Sequence, residues 1–238
     1  HRRHSPISGG PRPHRLNSEY PAVTAPPPPD HSRSATLALF LTVFIDLIGF
    51  GIVLPLLPSY AARLQVNDAR IGIVVAAFSL MQFLLAPWWG RLSDRIGRRP
   101  VILVGLAGSA CSYLLFAYAG SFWILLLSRL VAGGMGATVS VAQAYLADVT
   151  PPERRAKAMG LIGAAFGLGF VVGPAIGGLT SRWGEAVPGL VAAGLSTANF
   201  VLAWFRLPET RVHQPREARG AAAVHWRLLV APYAVLLL

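Results

Sequence analysis

From Ile71 to Gly90 the chain runs twenty residues without a charged side chain, and from Ala158 to Ser181 it runs twenty-four. A helix needs about 20 apolar residues to cross the ~30 Å hydrocarbon layer of a bilayer, so either run is long enough to span one. A third uncharged stretch, Pro100 to Ser128, is too long for one simple crossing, and Ala119-Gly120-Ser121 offers a turn near its middle. Charged residues make up 13% of the chain, about half of the ~25% usual in soluble domains. The pattern predicts an all-α membrane protein with six spans, at 35–58, 69–90, 100–118, 122–147, 157–181 and 185–206, and the beginning of a seventh over 228–238. Helices are expected because lipid offers no partner for unpaired backbone groups.

The formal net charge of +11 invites a nucleic-acid reading until the basic residues are placed. Seventeen of the 21 fall in alternate polar segments: the tail, the 91–99 loop, the 148–157 loop and the 206–227 loop. The opposite connections hold Arg63, Arg70 and Arg182. Because Lys and Arg concentrate on the cytoplasmic side of short loops, the amino terminus is expected inside, in a cell (inner or plasma) membrane, and the charge reads as topology rather than as a nucleic-acid surface. Residues 1–34 hold eight of the 19 prolines and few apolar residues, a composition expected to leave a disordered Pro/Arg-rich cytoplasmic tail. Residues 207–227 are expected to form a cytoplasmic loop. All six tryptophans fall near predicted span ends, where an indole is half solvated.

Two ionisable residues stand inside spans, Asp46 in the first and Arg129 in the fourth. A charge in hydrocarbon costs at least ~2.5–3.5 kcal/mol on insertion scales, so each is expected to face a cavity or a partner. Packing networks remain an alternative for Asp46, and snorkelling toward the surface an alternative for Arg129. Both are taken as candidates for coupling protons to substrate. Phe78, Gln82, Gln143 and Asn199 are candidate substrate contacts, since a polar group that leaves water needs a partner. The fifth span carries Gly160, Gly163, Gly167, Gly169, Gly173-Pro174 and Gly177-Gly178, which strip side chains from much of its surface and favour close helix approach. Cys111 stands alone, so an internal disulfide is excluded. The histidines lie in the tail (His1, His4, His14, His31) and the later loop (His213, His225), and neither a metal nor a cofactor is expected.

An internal repeat bears on architecture. A shift of 87 residues lays Pro87, Gly90, Leu92, Arg95 and Gly97 on Pro174, Gly177, Leu179, Arg182 and Gly184. One copy ends the second span and the other ends the fifth, on opposite sides, as an inverted repeat of three helices requires. Such repeats underlie many secondary transporters, with the substrate site where the copies meet near the midplane.

Gly90-Arg-Leu-Ser-Asp94-Arg95-Ile-Gly97-Arg98-Arg99 resembles the signature loop of the major facilitator superfamily. Gly160 followed by Gly169, Gly173-Pro174 and Gly177-Gly178 is similar to the antiporter signature of its drug/proton exchangers, and Ser128-Arg129 through Gly134 to the signature of the fourth helix, with alanine where glutamine is common. Asp46 through Pro58 and Phe78 through Pro87 are most similar to the tetracycline/proton antiporter group. The resemblance covers about 36–210. It implies the amino-terminal half of a twelve-helix fold whose carboxy-terminal six helices lie outside this sequence. It further implies export of a small amphipathic compound, such as a tetracycline, in exchange for protons by alternating access, with no reaction catalysed. Gly90, Asp94, Arg95, Gly97, Arg98, Arg99 and the distal Asp148 would then form a cytoplasmic latch favouring the outward-open state. A metabolite uniporter or symporter of the same superfamily, or an inactive fragment, is the alternative.

Overall fold

A computed structural model describes residues 31–207, in which eight α-helices build six membrane-length spans. Helix α1 (His31–Val53) passes through a 3₁₀ turn at Leu54–Leu56 into α2 (Leu57–Leu64), the redirection falling at Pro55 and Pro58, whose rings deny the backbone two donors. The second and third spans are α3 (Asp68–Ile96) and α4 (Arg98–Ala117). The fourth is interrupted: α5 (Phe122–Met135) stops at Gly136 and α6 (Thr138–Val149) takes over. The fifth is α7 (Pro152–Thr180), closed by a 3₁₀ turn at Ser181–Trp183, and the sixth is α8 (Val187–Arg206). The expected turn at 119–121 is present, with Ser121 Oγ accepting from Ile124 N–H as the cap of α5.

The six expected spans are recovered with shifted ends. α3 runs on to Ile96 rather than ending at 90, and α7 begins at Pro152 rather than 157. In both places charged residues continue the helix, because intrahelical hydrogen bonds remain favourable once the chain has left the hydrocarbon. The lengthening of α3 corrects the placing of Trp89 at a span end. Its indole is buried and donates to Gly134 O at 2.6 Å, clasping the last turns of α5. α1 begins at His31, inside the stretch expected to be tail, while the rest of the tail, the later loop and the seventh span (1–30 and 208–238) lie outside the described residues.

The repeat is visible in the architecture. α3 and α7 are both 29 residues long and contain Pro87 and Pro174 respectively; α3 stops at Gly97 (φ 107°) and the 3₁₀ turn that closes α7 stops at Gly184 (φ 134°), a backbone region that side chains other than glycine rarely adopt. Packing is exchanged between the copies: α1 lies most closely on α7, α5 packs equally on α3 and α4, and α4 and α8 pack on each other. The α1–α7 seam is built largely on glycine on the α7 face. A Cβ on Gly173 would stand 2.7 Å from Gly51 Cα, and one on Gly177 would stand 2.8 Å from Ile52 O.

The apolar interior separates into two layers. One includes Leu39, Val43, Leu47, Ile102, Leu106 and Tyr145; the other includes Ile48, Ile52, Tyr60, Phe116 and Leu125. The boundary on α1 falls at Leu47–Ile48, beside Asp46. At the end that carries Arg63, its guanidinium binds Glu185 and donates to Ala119 O, drawing three connections together, and lies 4.6 Å over the Tyr60 ring.

Candidate functional site

Asp46 lies ten residues past Thr36 in a first span that runs on to Leu64, which at 1.5 Å per residue is about 15 Å along the axis and hence in the middle third of the span. There the bundle opens into a cavity of about 360 Å³. Asp46, Leu47 and Phe50 of α1 face Phe78 and Gln82 of α3, Ser109 and Tyr113 of α4, Arg129 of α5, and Phe166 of α7. The break in the fourth span contributes Gly136, and α6 adds Val139, Ser140 and Gln143. The wall is largely aromatic and aliphatic, with a few convergent polar groups, as small-molecule sites are.

The two expected charges share this cavity, yet no salt bridge joins them among the described residues. Ser109 and Thr138 flank the Asp46 carboxyl, but its Oδ1 is buried without a hydrogen-bond partner. Arg129 does not snorkel: it is 3% exposed, with its guanidinium 5.0 Å over the Phe116 ring and Nε donating to Ser128 Oγ at 3.4 Å. Its Nη2 is buried and unpartnered.

Of the expected contacts, Phe78, Gln82 and Gln143 line the cavity. The Phe78 ring lies 5.1 Å from that of Phe50, tilted by 33°, and Gln82 Nε2 donates to Gly136 O at 3.2 Å, meeting a carbonyl that the break leaves unpaired. Asn199 does not join them. It is buried on α8 and donates to Thr42 O at 2.8 Å, a helix-to-helix bond between α8 and α1, so its geometry is that of a packing residue. Thr138, Ser109, Phe50 and Phe166 were not singled out from sequence. The run Gly133-Gly134-Met-Gly136 was the available signal, since such a run weakens a helix and Thr138 opens the next one.

At the Arg98 end the loop motif divides. Arg98 is the hub: Nη1 lies 2.7 Å from Asp94 Oδ1 and donates to Ser93 Oγ at 2.6 Å, while Nε donates to Asp148 Oδ2 at 3.1 Å. Gly97, at φ 107°, turns the chain so that Arg98 can open α4 beside the end of α3. Arg99 donates to Trp204 O, the last turn of α8, and lies 5.7 Å over the Trp204 ring. Arg95 is exposed, and nothing crowds a Cβ built on Gly90. The glycine signature divides as well: Gly169, Gly173 and Gly177, with Pro174 beside Gly51, form the seam with α1, whereas a Cβ on Gly160 or Gly178 would meet open space.

Comparison with known proteins places these features in a family. The sequence profile described as the Major Facilitator Superfamily matches residues 39–238. The chain is 42% identical over 188 residues to the class C tetracycline resistance protein of Escherichia coli, covering 78% of this chain and 48% of that protein. It is 39% identical over 183 residues to the class B protein of the same species, covering 76% and 45%. The quinolone resistance protein NorA of Staphylococcus aureus (strain MRSA252) is 30% identical over 201 residues, covering 82% and 52%. Among solved structures, the human organic anion transporter MFSD10 (TETRAN) superposes with a TM-score of 0.66 at 33% identity, covering 77% of this chain and 49% of that one. The chain thus spans about half the length of the relatives it matches.

Proposed function

This chain belongs to the major facilitator superfamily, and we propose that it forms the amino-terminal six-helix half of a transporter that exports a small amphipathic compound in exchange for protons. Membership and six membrane-length helices make it a multi-pass membrane protein. The reading of exchange is carried by one observation: Asp46, with an unpartnered buried oxygen, lies on the same cavity as Arg129. A carboxyl there can bind a proton when the cavity is open to one side and release it when open to the other, and its protonation decides whether Arg129 faces a neutral or an anionic neighbour. Six further helices would complete the cavity, and α3 and α7, the spans least covered by this half, offer the surface for them.

The basic loops support an inside amino terminus, which puts the Arg98 cluster on the cytoplasmic side. There the cluster would act as the latch, holding the ends of α3, α4 and α6 together in the outward-open state and parting when the inner side opens. Ion pairs this exposed contribute little to stability, so a latch made of them can open on a transport timescale.

The test is Asp46→Asn in the full-length protein, with tetracycline as the probe in everted vesicles. The variant should insert and, at saturating tetracycline, still exchange it down its gradient but lose uphill movement driven by a pH gradient. Wild-type uphill movement by the variant would leave Asp46 a packing residue.

A further inference from the structure

Two opposite charges in one low-dielectric cavity ordinarily find each other, because an unpaired buried charge is costly and a paired one much less so. Here they do not: Asp46 Oδ1 and Arg129 Nη2 are each buried without a partner, on facing helices of one cavity. Other contacts hold them apart. Arg129 is fixed over the Phe116 ring and by Ser128 Oγ, and Asp46 is flanked by Ser109 and Thr138. The same wall carries Phe50 and Phe78 in ring contact, together with Tyr113 and Phe166.

We infer that the cavity is built for a zwitterion: an aromatic molecule whose cationic group meets Asp46 and whose anionic group meets Arg129. The inference rests on the reading of this cavity as the substrate site and specifies what that substrate carries. A cation alone would satisfy Asp46 and leave Arg129 buried and unpaired beside a second positive charge. With Asp46 ionised, an anion alone would do the converse, and a neutral ligand would leave both charges unmet. One molecule bearing both signs satisfies both walls and leaves this half of the cavity neutral. Arg129 is then a specificity-determining residue in direct contact with the ligand.

Three fluorescent probes with one ring system and one chain separate these cases: Nα-dansyl-lysine (zwitterion), dansylcadaverine (the same without the carboxylate) and dansyl-norleucine (the same without the amine). Binding is read by dansyl fluorescence to the purified full-length protein in nanodiscs, with no pH gradient, so the result does not depend on proton coupling. The zwitterion should bind about tenfold more tightly than either singly charged probe, as one added charge-assisted contact implies. Arg129→Gln should erase its advantage over dansylcadaverine while dansylcadaverine binding persists, and Asp46→Asn should erase its advantage over dansyl-norleucine. Equal binding of all three by the unmutated protein overturns the inference alone, and that comparison stands even where a variant fails to fold. Equal weakening of zwitterion and cation by Arg129→Gln also overturns it, returning Arg129 to a structural role. Binding of none of the three overturns both the inference and the substrate-site reading beneath it.

Discussion

Replacing Gly173 by alanine should loosen the α1–α7 seam, and the size of the effect follows from what the new methyl group meets. A Cβ there would stand 2.7 Å from both Cα and C of Gly51 and 2.9 Å from Ile48 O, all backbone atoms that cannot rotate away. Overpacking of this kind costs about 1–3 kcal/mol. Alanine also gains about 0.8–1.0 kcal/mol over glycine in a helix interior, which masks part of that cost. Gly163 supplies the internal control, since it lies in the same helix and a Cβ added to it would meet nothing within 4 Å. The propensity gain is common to both substitutions and cancels in their difference, so Gly173→Ala should be less stable than Gly163→Ala by about 1–3 kcal/mol. Denaturant unfolding of the two purified variants, followed by tryptophan fluorescence, measures that difference. Equal stability would refute the claim that glycine is required in this seam for closeness of approach.

Other outcomes follow from single contacts. Trp89→Phe removes the donor to Gly134 O and leaves a buried carbonyl unpaired, so unfolding should become easier by about 1–3 kcal/mol. Asp94→Asn should lower unfolding stability by under about 1 kcal/mol, the ceiling for an exposed ion pair, yet greatly reduce export by full-length protein in vesicles. Asn199→Ala should cost stability through the bond to Thr42 O while leaving the affinity for Nα-dansyl-lysine within twofold, and a larger loss would return Asn199 to the binding site. A cysteine engineered at Arg98 should resist an impermeant thiol reagent added to intact cells, and one at Asn67 should react.

The spans were legible because hydrocarbon imposes a length and excludes charge: the uncharged run at 71–90 lies within α3, and that at 158–181 within α7 and the turn that closes it. Asp46 and Arg129 were legible for the same reason, being the charges that the rule forbids unless something receives them. Gln82 could be proposed and Asn199 misassigned because both look alike in sequence, an amide in an apolar span. Only the packing of α8 on α1 distinguishes them. Trp89 misled in the opposite way, because its neighbours Arg91 and Asp94 suggested the end of a helix that in fact continues. The break at Gly136 left no mark in hydropathy, which records which residues enter the membrane and says nothing of whether their helix is continuous, and only the glycine run before it could have signalled it.

The central claim is that Asp46 carries the exchanged proton, and the most direct measurement is proton movement itself. Full-length protein is reconstituted into liposomes that enclose a pH-sensitive dye, and an outward or inward tetracycline gradient is imposed with no initial pH difference. The unmutated protein should move protons opposite to tetracycline, changing the internal pH, and Asp46→Asn, at a tetracycline concentration that saturates it, should move tetracycline with no proton signal. Proton movement of unmutated size through the asparagine variant would contradict the account.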